Sequence, residues 1–156
     1  MNIHTLRLPF GLLFASLVLF GADVPAAGTW KQNLAHSKYN PGPGPNTASM
    51  LRIEAVEGGE KLSVDGVGVD GKPASWSYTA TYDGKPTSVT GSPYGDMVAL
   101  KRIDGRRSRI TYTRNGKVTR TSNRVISSDG KTMTIHANGT SASGQRYNNV
   151  SVFEKQ

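Results

Sequence analysis

The chain has 156 residues, with 19 Lys and Arg against 11 Asp and Glu, a formal charge of +8, 18 Gly and no Cys. That length supports one domain. The lack of Cys excludes thiolate metal sites, disulfide scaffolds and a cysteine nucleophile, while 36% apolar and 19% charged residues suit neither a coiled coil nor a disordered tail.

Residues 1–7 carry one basic side chain, Leu8–Phe20 is an apolar run, and Val24-Pro25-Ala26 places small residues at the −3 and −1 positions of a cleavage site. This pattern predicts a secretory signal peptide over residues 1–26, cut near Ala26. The run is shorter than the roughly 20 apolar residues that span a bilayer, so no membrane span is expected. Residues 27–156 are then a single exported domain, secreted or periplasmic.

After Ala26 the chain has 10 Val, 5 Ile and 13 Thr against 4 Leu, a composition that fits pleated strands better than helices. The first strand is expected at Gly28–Leu34. Eight more follow at Leu51–Val56, Lys61–Val69, Ser75–Tyr82, Met97–Ile103, Arg109–Arg114, Lys117–Ile126, Thr132–Ala137 and Tyr147–Phe153. Turn signals separate them: Gly58-Gly59, Asp70-Gly71, Asp83-Gly84, Ser92-Pro93, Asp104-Gly105, Asn115-Gly116, Asp129-Gly130 and Ser143-Gly144. Short strands joined in sequence by tight turns predict an all-β, antiparallel up-and-down β-barrel of about eight to ten strands. The Asp-Gly-Lys triplets at 70–72, 83–85 and 129–131 are turns in which Gly takes φ > 0. They are too dispersed to share a hard cation, and neither a metal nor a cofactor is expected.

Side-chain alternation identifies the inner face. Trp76, Tyr78, Ala80 and Tyr82 share one side of their strand, and Ile110 with Tyr112 and Met133 with Ile135 repeat the pattern. The aromatics either fill a closed core or line a ligand cavity. In the second case Trp76, Tyr78, Tyr82, Tyr112, Ile110 and Met133 are the contacts.

Gly28-Thr29-Trp30-Lys31 ahead of such a meander resembles the calycin barrels, the lipocalins and fatty-acid-binding proteins, whose first strand begins Gly-x-Trp. The wider pattern adds Ser37-Lys38-Tyr39, the proline-rich Pro41–Pro45 and Asp129–Thr132. It is similar to a group of small exported bacterial proteins of lipocalin-like character. The resemblance implies a lipocalin-like barrel whose base holds Gly28 and Trp30, with the indole packed under an Arg from a late strand that the sequence does not single out. Two departures withhold a ligand. Residues 41–45 are unsuited to the paired portal helices of fatty-acid-binding proteins, and the C-terminal strand lacks their Arg-x-Tyr.

Charge is concentrated between residues 101 and 124, which hold nine basic residues against Asp104 alone. With a two-residue turn at Asn115-Gly116, Thr111 falls opposite Arg120, Arg109 opposite Ser122 and Arg107 opposite Arg124. Arg107, Arg109, Arg120 and Arg124 then form one outward anion-binding patch. A register slip of one residue instead turns Arg120 and Arg124 inward beside Ile110 and Tyr112, where they could hold an acidic head group.

Nothing marks an enzyme. His36 and His136 are isolated, no nucleophile motif occurs, and Glu54, Glu57 and Glu60 read as solvated charges near a turn. The expected function is an exported binding protein for a small apolar or amphiphilic ligand. The alternative is an envelope interaction protein with a filled barrel, whose basic hairpin contacts an anionic lipid or polysaccharide. Nucleic acid is not an expected partner.

Overall fold

The computed structural model describes residues 24–67 and 72–156. Most of the expected leader and the Asp70-Gly71 turn lie outside the described residues. Ten strands form: β1 (Gly28–Asn40), β2 (Met50–Val56), β3 (Gly59–Val67), β4 (Pro73–Thr81), β5 (Asp83–Ser88), β6 (Met97–Arg102), β7 (Arg107–Arg114), β8 (Lys117–Ile126), β9 (Thr132–Thr140) and β10 (Arg146–Lys155).

Strands adjacent in sequence pair antiparallel except at β4 and β5, and β1 pairs with β10, so the sheet runs β4-β3-β2-β1-β10-β9-β8-β7-β6-β5. The result is an all-β, nearly closed up-and-down barrel. At the seam, Ser77 of β4 and Thr90 exchange backbone hydrogen bonds of 3.1 and 3.0 Å.

The strand count is ten where the sequence suggests nine. β5 was hidden because Gly84 and Pro86 resemble a loop, yet proline is tolerated where a strand lies at a sheet margin. β5 pairs with β6 on one side only, with an irregularity between Asp83 and Pro86. β1 also runs past Leu34, bulging between Asn33 and Lys38. The two Asp-Gly-Lys triplets within the described residues turn as expected: Gly84 and Gly130 have φ of 82° and 70°, and Asp83 and Asp129 accept from the N–H groups of Lys85 and Lys131, each at 3.0 Å.

Alternation places Leu51, Ile53, Leu62, Val64, Tyr78, Ala80, Val98, Leu100, Ile110, Tyr112, Met133 and Phe153 in one core. Trp30 lies beneath it with no exposed surface, and its Nε1–H donates to Ala26 O at 2.8 Å. The cation over its ring is Lys155 of β10, with Nζ 5.3 Å from the centroid. The late-strand Arg that the resemblance implies is thus replaced by a lysine. Gly28 takes φ of 136°, and a Cβ there would lie 2.6 Å from Lys155 Cε. Gly28→Ala is expected to cost about 1–3 kcal/mol, measured as a shift in the urea midpoint at unchanged m-value.

Candidate functional site

β7 and β8 determine which guanidinium groups enter the barrel. Arg114 pairs with Lys117 and Thr113 with Val118, as a two-residue turn through Asn115 (φ 49°) and Gly116 (φ 74°) requires. Thr119 is then an extra residue. Tyr112 faces Arg120, Ile110 faces Ser122 and Ser108 faces Arg124. The Thr119 hydroxyl donates to Tyr112 O at 3.1 Å and also contacts Tyr94 O, which holds the bulge in place.

The expected single outward patch therefore does not form. Arg107 and Arg109 point out, Arg107 pairing with Asp104 at 2.5 Å and Arg109 donating to Asn123 Oδ1 at 3.3 Å. Arg120 and Arg124 point in. This is the alternative register, produced by one bulge rather than by a slip of the whole strand.

Arg124 is 3% exposed and Glu60 of β3 is 0% exposed. Arg124 Nη1 donates to Glu60 Oε1 at 2.9 Å and Nη2 to Oε2 at 2.6 Å, a bidentate pair. Tyr78 and Tyr82 hydroxyls donate to the same two oxygens at 2.9 and 2.6 Å, and Arg124 Nε donates to Ser108 Oγ at 3.0 Å. Glu60 is thus not a solvated turn charge, whereas Glu54 and Glu57 are exposed. Its parity with Leu62 and Val64 on β3 was the available signal.

Burial alone would raise the Glu60 pKa. The Arg124 charge and the hydrogen bonds from Arg124, Tyr82 and Tyr78 outweigh it and hold the carboxyl below its ordinary 4.5. Burial also lowers the acidity of the phenols: Tyr78 is raised well above 10 and Tyr82 to about 12, in both cases helped by the Glu60 charge.

Four residues before Arg124 on the same inner face, Arg120 is half-buried. Its guanidinium lies 3.9 Å from the centroid of the Tyr94 ring and its Nε donates to Ser122 Oγ at 2.9 Å. Tyr94 stacks edge-on against Trp76 at 5.6 Å and tilted against Tyr112 at 5.5 Å. Tyr147 of β10 completes the group: it crosses Gly139, where a Cβ would collide with its hydroxyl, and its phenol is coupled to the Arg120 charge. Burial would depress the Arg120 pKa, but the surrounding Tyr94, Tyr112 and Tyr147 outweigh it. Among the described residues no carboxylate pairs with Arg120. The Trp76 Nε1–H, buried next to Tyr94, makes no well-formed hydrogen bond, and the Tyr112 phenol is the group it interacts with.

A groove of about 540 Å³ crosses the ends of β8, β9, β10 and β1 at this end of the barrel. Arg120, Arg146 and Tyr147 line it, with the amides of Asn40, Asn138 and Asn148. None of the six cavity candidates does. Tyr78, Ile110, Tyr112 and Met133 are buried in the core, and Trp76 and Tyr82 pack against it. They fill the interior, with Tyr78 and Tyr82 serving Glu60, and Trp76 and Tyr112 flanking the Arg120 cluster. Tyr94, between β5 and β6, went unassigned because its segment carries only turn signals.

Among the described residues no group of three or more His, Asp or Glu side chains could hold a metal ion. His36 and His136 are exposed on the surface. No family model matches the chain, and no curated protein matches it. Among solved structures the chain is similar to the zebrafish ileal bile-acid-binding protein in complex with cholic acid, at 10% identity and a TM-score of 0.49, over 85% of this chain and 99% of that one.

Two outcomes test the buried pair. Arg124→Met or Glu60→Gln alone is expected to cost about 3–5 kcal/mol, because each strands a partner in the core; the double variant should cost less than the sum, as a double-mutant cycle by urea unfolding would record. With pH, the Glu60 contribution is complete above pH 4.5, where the unfolded carboxyl ionises, and is lost as pH falls through the lower folded value. Tyr82 and Tyr112, pushed up to about 12 chiefly by burial, contribute fully below pH 10 and lose that contribution between pH 10 and 12. Tyrosinate absorbance should accordingly rise in step with alkaline unfolding.

Proposed function

We propose that the protein is an exported carrier of a small amphiphilic anion, whose acidic head group sits at Arg120 and whose apolar part lies in the adjoining groove. One comparison carries this reading. Two arginines stand on the same inner face of β8, and Glu60 neutralises Arg124, while Arg120 has the Ser122 hydroxyl, the Tyr94 ring and the neutral phenols of Tyr94, Tyr112 and Tyr147 about it, and no carboxylate among the described residues pairs with it. A guanidinium so placed favours a planar acceptor such as a carboxylate or sulfonate.

The groove volume lies in the range of small-molecule sites, roughly 300–1,000 Å³. The filled core limits how deep a ligand reaches, so a compact aromatic or short-chain anion fits better than an extended acyl chain. The leader-like first residues support export.

A second reading has its own observation. Lys101 and Arg109 are direct neighbours across β6 and β7, both exposed, and suit contact with an anionic lipid or polysaccharide surface. The two readings separate experimentally. Anilinonaphthalene sulfonate, a compact aromatic anion, should bind the protein. Arg120→Met should weaken it about tenfold or more, since a hydrogen bond to a charged group contributes ~1.5–3 kcal/mol and 1.4 kcal/mol is tenfold. Lys101→Ala with Arg109→Ala should leave dye binding unchanged. If that pair instead abolishes binding to phosphatidylglycerol vesicles in a salt-dependent way while Arg120→Met leaves the dye affinity intact, the surface reading replaces the carrier reading.

A further inference from the structure

The segment that the sequence assigns to the end of the leader is packed into the domain. Val24 and Ala26 are 6% and 4% exposed and belong to the same core as Trp30. The Ala27 N–H donates to Val24 O at 2.8 Å, closing a turn, and Ala26 O accepts the Trp30 indole N–H at 2.8 Å. Pro25 and Ala26 adjoin a space of about 20 Å³ that Tyr82, Arg102, Ser108 and Arg124 share, which is room for about one water molecule. The tetrapeptide therefore stops the base of the barrel, at the end where Glu60 and Arg124 are buried.

We infer that Val24–Ala27 is part of the mature folded domain, and that the leader is cut on its N-terminal side. The inference rests on the export reading. A cut after Ala26 would remove two core side chains, delete the acceptor of the Trp30 N–H and open the Glu60–Arg124 pair to water. Each loss is of a kind that native interiors avoid. The small residues at 24 and 26, which resemble a cleavage signal, have a packing reason to be small. The mature chain is therefore expected to start at or before Val24, with Val24–Ala27 intact.

The test uses the full chain, exported from a bacterial host, with the intact mass of the product measured. A processed product that still carries Val24 supports the inference. A start at Ala27 or Gly28 overturns it. A product that retains Met1 overturns the export reading and the cut together, a result distinct from either processed mass. Full-length Val24→Ala and Val24→Asp give an independent check through the thermal midpoint of the isolated product. A retained Val24 predicts a fall of roughly 3–8 °C for Val24→Ala, and a larger fall or poor accumulation for Val24→Asp. Wild-type midpoints in both variants would overturn the packing role.

Discussion

Glu60 of β3 and Arg124 of β8 meet across the interior, and the arrangement of the barrel base depends on that contact. Removing either charge from water is costly, by several kcal/mol for each ion even after relaxation. Here the cost is offset because each polar atom of the pair has a partner: both carboxylate oxygens accept from the guanidinium and from a phenol, and Arg124 Nε donates to Ser108. The partners are 64 positions apart in sequence. The full set of bonds forms only when β3, β4, β7 and β8 are all in register, so a slipped alternative would bury a charge without its partner.

The same strand carries a guanidinium with the opposite character. Arg120 lies among π faces, phenols and a serine hydroxyl, all neutral groups, and no carboxylate among the described residues pairs with it. One inner face thus has a self-satisfied half, packed with aliphatic side chains, and a half with donors to spare beside a groove. That division bears on function more directly than the barrel itself, since one fold serves many activities.

Much of the architecture was legible because period-2 alternation and Asp-Gly or Asn-Gly turns are local signals. Trp76, Tyr78 and Tyr82 declared their face, as did Ile110 and Tyr112. What escaped was non-local. β5 lacks apolar alternation and is recognisable only through its pairing with β6. Thr119 looks like any strand threonine, and nothing near it announces that it will be the unpaired residue which reverses the parity of β8. Glu60 kept step with Leu62 and Val64, but a charged residue beside Gly58-Gly59 suggests solvent until its partner is known. Nor could the indole acceptor be inferred, because Ala26 offers only a backbone carbonyl.

The Thr119 bulge also says something about which changes in the chain matter most. Tyr112 already faces Arg120, so losing Thr119 would close the bulge and leave Arg120, Ser122 and Arg124 opposite the partners they have now. The damaging change is to bring Thr119 into the ladder opposite Tyr112: the rest of β8 would move by one position, Asn123 and Val125 would be aimed at the interior, and Glu60 would lose its guanidinium. A shift of pairing, rather than a change of length, is what would carry the two arginines out of the barrel.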